Sequence, residues 1–195
     1  MPDTAPSVPT FTALLFGLSG CLVDFGARAE PAAGPTPGAL QSLRLLHHQG
    51  VPCAWLDELE DALALSLAEP LPHWVQGVRA PTGNPWPAPD ACWQALMRLQ
   101  VARLDGCVLV SGNPRLLQSG LNAGLWTVGL ASCGQLCGLS TKDWLALEPR
   151  ERDLLRGKAT LQLYALGVHS VIDHLEELDS CLADMALRRY KGEKP

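Results

Sequence analysis

The residues whose types and spacing could carry chemistry begin with two carboxylates, Asp24 and Asp57, each following a short apolar run. If both runs are neighbouring strands ending on one side, the two could share a hard divalent cation, which takes oxygen ligands. The structural reading is preferred: Asp24 caps the turn that follows it, and Asp57 caps a helix starting at Glu58. Cys21 would need a base to lower its thiolate pKa before it could act as a nucleophile, and no histidine lies in that part of the sequence, so it reads as a packed thiol. Cys133 and Cys137 have Gly134 and Gly138 beside them and no histidine nearby, which makes them loop residues rather than zinc ligands. His47 and His48 fall at the end of a helix, where the macrodipole favours cations. His169 and His174 flank the last strand and read as surface or packing residues.

These residues need a scaffold, and composition bounds it. The 195 residues are 47% hydrophobic and 18% charged, which excludes a disordered chain and fits one core. The expected layout is one domain over 12–190, a disordered tail over 1–11 and a short C-terminal tail over 191–195. The net charge is -5, and Arg188, Arg189, Lys191 and Lys194 are the only basic cluster, so nucleic-acid binding is excluded as a function class. No run approaches the roughly 18 apolar residues of a membrane span, and the first ten residues lack the basic start and apolar core of a signal. A soluble, cytoplasmic protein is expected. The seven cysteines are odd in number and scattered through apolar segments, as reduced thiols are.

Apolar runs of four to six residues alternate with longer segments of helical period, the pattern of a parallel sheet covered by helices on both faces. Strands are expected at Ala13–Phe16, Pro52–Leu56, Trp74–Val75, Cys107–Val110, Trp126–Val128 and Val168–Ile172. Helices are expected at Gly38–Gln49, Glu58–Ala68, Asp90–Gln100, Arg115–Ala123, one long stretch from Thr141 to Leu166, and Leu175–Arg189. Ser140 is a plausible N-cap, and Gly50, Gly124 and Gly167 stand where helices end in a left-handed residue. Residues 30–38, EPAAGPTPG, form a connector too rich in Pro and Gly for either element. The class is α/β, doubly wound.

The segment FGLSGCLVDFGAR, Phe16 to Arg28, resembles the first motif of haloacid-dehalogenase-fold phosphotransferases, FDxDGT followed by a hydrophobic pair and Asp. It is more similar still to the phosphonoacetaldehyde hydrolase variant, DWAGTxVDFG. SGLNAGLWTVGLASCGQLCGLS, from Ser119 to Ser140, resembles that family's EGLNAGMWTVGV stretch and its Gly-rich loop. NPWPAPDACWQALMRLQV resembles the superfamily's G-[KR]-P-x-P element, and the C-terminal third resembles the same subfamily. The resemblance implies a haloacid-dehalogenase-like Rossmannoid fold with its site at the carboxyl ends of the strands.

It also implies which positions should carry catalysis, and here the chain departs from the pattern. The nucleophilic, magnesium-ligating Asp falls at Gly17, and the second Asp at Ser19, where the subfamily itself has Ala. The motif's Thr is Cys21. The phosphate-binding Ser or Thr after the second strand falls at Leu56 and Asp57, and the Lys or Arg of the third block falls at Trp86. The KVGDT stretch aligns with Leu109, Val110, Ser111, Gly112 and Asn113, so the second magnesium ligand falls at Gly112. Ten or so residues between Phe25 and Gly38 leave no room for the family's helical cap or its Schiff-base lysine. A glycine neither attacks nor coordinates, and phosphoryl transfer needs metal and cations to hold the transferring charge.

The expectation is therefore a catalytically inactive relative with no cap, no metal site and no cofactor, although the family would use magnesium. It would act as a binding or interaction protein, as a homodimer or with a partner protein at the uncapped site. Ser19, Cys21, Asp24, Asp57, Trp86, Ser111 and Asn113 are the candidate pocket residues, with Trp86 as an exposed apolar patch. The alternative is a residual hydrolase for a small phosphorylated or phosphonate substrate, its anion cradled by backbone amides at the Gly20 turn.

Overall fold

The computed structural model describes residues 11–30, 33–78 and 83–195, so the expected tail over 1–11 lies, apart from Phe11, outside the described residues. Six parallel strands form one sheet in the order β3-β2-β1-β4-β5-β6. They are β1 (Ala13–Gly17), β2 (Cys53–Leu56), β3 (Gln76–Val78), β4 (Cys107–Ser111), β5 (Trp126–Leu130) and β6 (Ser170–Ile172). Strand β1 is the pivot, pairing Leu14 with Cys53 on one side and with Val108 on the other. The chain winds outward through β2 and β3, then returns past β1 to β4, so the switch point lies between β1 and β4.

Alternation along β1 sorts the helices. Leu14 and Phe16 join the core that includes Leu43 and Leu46 of α1 (Ala39–His48), Ala64 and Leu67 of α2 (Asp61–Ala68), and Leu182 and Met185 of α7 (Leu178–Tyr190). Ala13 and Leu15 point the other way, toward Ala91 and Ala95 of α3 (Asp90–Arg98) and Leu116 of α4 (Pro114–Asn122). Leu117 of α4 packs with Ala159 and Leu163 of α6 (Pro149–Leu166). All five residues of β1, β4 and β5 are buried, as strands covered on both faces must be.

Several expectations need correction. The third strand begins at Gln76, beyond Trp74 and Val75, because its register is set by pairing Ala54 with Gln76. The stretch from Thr141 to Leu166 is two helices, α5 (Thr141–Ala146) and α6. Pro149 has no amide to continue the first, and a capping box between Glu148 and Glu151 starts the second. Helix α2 begins at Asp61 after Glu60, so Asp57 does not cap it. The last helix opens with a 3-10 turn over Leu175–Glu177. Ser140 does cap α5, accepting from the Asp143 amide at 3.1 Å, and Gly50, Gly124 and Gly167 all have positive φ. Among the described residues of 18–38 there is no helix; two isolated bridges, Ser19 with Val23 and Val23 with Pro35, fold the segment back on itself. No helix among the described residues is long and apolar enough to cross a membrane.

At the sheet edge, His169 ties β6 to β5: its Nδ1 accepts the Thr127 amide at 3.0 Å and lies 2.9 Å from the Thr127 hydroxyl. Nδ1 must be unprotonated to accept an N–H, so burial, with help from Arg188, holds His169 below the ordinary value of 6.5. A base with a depressed folded value binds fewer protons folded than unfolded. Its stabilising contribution is complete above 6.5 and is lost as pH falls through that value toward the folded one. Thermal unfolding from pH 8 to 5 should show a falling midpoint below pH 6.5, and His169→Gln should flatten that part of the profile.

Candidate functional site

The carboxyl ends of β1, β2 and β4 deliver Gly17, Asp57 and Ser111 to one cleft of about 70 Å³, also lined by Ser19, Trp86 and Asn113. Asn113 is there because it caps α4, its side-chain oxygen accepting the Arg115 and Leu116 amides at 2.9 and 3.3 Å. Two candidates stand apart. Cys21 is fully buried beneath the site, its thiol 3.4 Å from the Val110 carbonyl oxygen, and burial pushes its pKa well above the ordinary thiol range. Such a thiol is inert. Asp24 is also buried and does not line the cleft. Its Oδ2 accepts the Ser19 hydroxyl at 2.7 Å and the Ala29 amide at 2.6 Å, stapling a loop in which Asp24, Ala27 and Ala29 all have φ near +55°.

The glycines at 17 and 112 differ in what surrounds them. A Cβ on Gly17 would lie 2.7 Å from the Ser111 hydroxyl, the end of a small side chain. A Cβ on Gly112 would lie 2.4 Å from the Gly20 carbonyl oxygen and 2.8 Å from both the Cys133 carbonyl oxygen and the Gly134 Cα. Two backbone segments, at Gly20 and at Cys133–Gly134, fill the space that an aspartate side chain would need. The fit to magnesium fails on both counts: neither position offers a ligand, and at 112 none can be accommodated without moving backbone. Among the described residues no three His, Cys, Asp or Glu side chains gather as they would around a metal.

Most of the polar groups at the cleft satisfy one another, the exception being the Trp86 Nε1, which is buried without a hydrogen bond. Asp57 Oδ2 accepts the Ser19 amide at 3.1 Å and Oδ1 the Leu59 amide at 3.1 Å, while burial raises its pKa above the ordinary carboxylate value. The Gly20 amide donates to the Val23 and Asp24 carbonyls, both at 2.9 Å, and the Leu22 and Val23 amides turn back to Leu18. The amides proposed as an anion cradle are therefore engaged within the protein, with a carboxylate beside them.

Trp86 is 5% exposed and belongs to the core beneath α3 and α4, so the expected apolar patch is absent. Its burial follows from a clamp that sequence reading missed: Glu58 accepts the Trp86 amide at 2.6 Å and pairs with Arg115 at 3.3 Å, and Arg115 in turn donates to the Trp86 carbonyl. Arg115 is thereby committed to Glu58. Nothing in the spacing of positions 58, 86 and 115 signals that they meet.

With the geometry established, comparison with known proteins places the chain. No family model matches it. The phosphonoacetaldehyde hydrolase of Klebsiella pneumoniae is 34% identical over 182 residues, covering 89% of this chain and 64% of that protein. The chain thus spans less than two thirds of that relative's length. A solved structure 63% identical to it superposes with a TM-score of 0.92 over 95% of this chain and all of the other. A phosphonoacetaldehyde hydrolase-like protein from Oleispira antarctica is 21% identical and superposes with a TM-score of 0.89 over 100% of this chain and 99% of that one. A haloacid-dehalogenase-family hydrolase from Deinococcus radiodurans, 18% identical, shares the fold at a TM-score of 0.61 over 89% and 96% of the two chains.

The packing around the two glycines makes a quantitative contrast. Gly112→Ala should cost about 3 kcal/mol, the upper end for overpacking, because only backbone can yield. Gly17→Ala should cost about 1 kcal/mol, since the Ser111 hydroxyl can rotate away. Urea unfolding of the two variants checks the order.

Proposed function

For a chain with the haloacid-dehalogenase-like fold that is related to phosphonoacetaldehyde hydrolases, we propose a non-catalytic role, as a binding or interaction protein built on the hydrolase scaffold. The observation that carries this reading is the packing at Gly112, the position to which the resemblance assigns the second magnesium ligand, where backbone from the loops after β1 and β5 closes on the space a side chain would need. A lost ligand alone leaves a hole; here the surroundings have closed over it.

The electrostatics support the same reading. A phosphoryl group in flight needs cations and donors aimed at its oxygens. In the cleft, the Ser19 amide faces Asp57 and Trp86 stands where the resemblance puts a Lys or Arg; beside it, Arg115 faces Glu58. The cleft is small, about 70 Å³. Against residual hydrolysis stand the Ser19, Gly20, Leu22 and Val23 amides of the turn, which are already bonded within the protein. Self-association or a partner protein at the face where relatives carry a cap remains the proposed mode of action, and it would be read over residues 18–30 and 33–38 rather than through Trp86.

The test is direct. Purified protein with magnesium should release no phosphate from p-nitrophenyl phosphate and none from phosphonoacetaldehyde, and Gly17→Asp alone should leave both rates at zero. Magnesium-dependent turnover by the unaltered chain that disappears with chelation overturns the proposal.

A further inference from the structure

A second polar cavity, of about 200 Å³, opens on the same edge of the sheet two strands away from the closed cleft. Its floor comes from residues just past the carboxyl ends of β5 and β6, Ser132 and Asp173, and its walls from Trp144, Arg152, Arg156 and His174. In parallel α/β sheets this edge is where ligands bind, because strand ends and the loops after them converge there.

The charges in this cavity are unequally committed. Arg156 donates to Asp173 at 2.8 Å and to Asp153 at 3.0 Å, and these two carboxylates are thereby paired. Arg152 has no ion pair among the described residues, and its Nε is buried without a hydrogen bond. His174 Nδ1 is likewise buried and unbonded; Glu176 Oε2 lies 3.5 Å away, near enough for an ion pair but outside hydrogen-bond geometry. A buried guanidinium N–H without an acceptor is costly, and so is a buried imidazole nitrogen without a partner. Both residues line this one cavity, with the orphan atoms buried behind its wall. The Ser132 residue is buried as well, and Trp144, held by Phe25 with ring centroids 6.1 Å apart, gives the cavity an aromatic wall.

From this geometry we propose that the cavity bounded by Ser132, Trp144, Arg152 and His174 is a binding site for a small monocarboxylate with a planar or apolar body. Arg152 receives the carboxylate, to which a guanidinium offers parallel N–H donors. Trp144 packs on the body of the ligand. One charge is favoured over two because the site holds a single uncommitted cation and two nearby aspartates. The volume lies below the roughly 300–1,000 Å³ of drug-sized sites, so the ligand is fragment-sized and binds in roughly the millimolar range. The site is independent of the closed cleft, so the non-catalytic reading and this assignment stand or fall separately.

The probes are benzoate and inorganic phosphate, titrated into the full chain by calorimetry and by nitrogen-15 NMR observed at the Arg152 Nε–H. Benzoate should bind saturably at millimolar concentration, move the Arg152 Nε–H resonance, and bind more tightly than phosphate. Arg152→Gln should weaken benzoate about tenfold or more, the loss of one charge-assisted contact. Arg150→Gln, on the exposed side of the same helix, should bind as the unaltered protein does. If Arg152→Gln fails to fold, the Nε–H shift in the unaltered chain decides. No saturable benzoate binding, binding without movement of that resonance, unchanged affinity in a folded Arg152→Gln variant, or tighter binding of phosphate each overturns the assignment.

Discussion

The constraint on which the rest of the site depends is the close approach of three loops at the carboxyl edge of the sheet, those after β1, β4 and β5. Gly20, Gly112 and Gly134 meet there, with a Cβ on Gly134 falling 2.3 Å from the Gly112 carbonyl oxygen and one on Gly112 falling 2.4 Å from that of Gly20. Backbone bonds lock the contact: the Gly134 amide donates to Phe25 at 2.8 Å and the Gln135 amide to Gly112 at 3.1 Å. Backbones approach this closely only where side chains are missing, and Gly20 and Gly134 also hold positive φ at which an L side chain is strained. Here main chain meets main chain around Gly112.

The polar groups nearby follow from that closure. The amides after β1 donate to protein acceptors, the Ser19 amide to Asp57 and the Gly20 amide to carbonyls of its own turn. Asp24 holds the loop whose left-handed residues make the reversal, and Thr36, buried, bonds to the Cys21 carbonyl. Residues 18–30 and 33–38 thus cover the crevice as a short strap with its own hydrogen bonds. The Glu58 to Arg115 pair fastens the Trp86 segment over the other side. Uncommitted positive charge is found instead at the β5 and β6 end, where α6 enters beside Trp144 and two aspartates occupy Arg156 but leave Arg152 without an ion pair among the described residues.

How much of this was legible in the chain depends on the range of the interactions. The parallel sheet, the helices at α1, α3, α4 and α7, the Ser140 cap and the glycine helix ends rest on local periodicity and capping, which a sequence carries openly. The relation to phosphonoacetaldehyde hydrolases was legible from the segments around Phe16 and Trp126, and so were the substitutions at Gly17, Trp86 and Gly112. The split at Pro149 is carried by the proline alone, against a helical period that runs on through it.

The sequence by itself determined the architecture, the relation to phosphonoacetaldehyde hydrolases and the presence of glycine at positions 17 and 112. Whether those positions formed a hole, a pocket or a seal was decided only by tertiary structure, because the answer lies in distances between residues 20, 112 and 134 that no local pattern encodes. The same holds for Trp86, whose burial depends on a salt bridge between Glu58 and Arg115, 57 positions apart, and for Arg152, which is uncommitted because both nearby aspartates face Arg156. Short-range preferences write themselves into a chain; pairing among distant charges and contact among distant backbones appear once the sheet has brought its loops together.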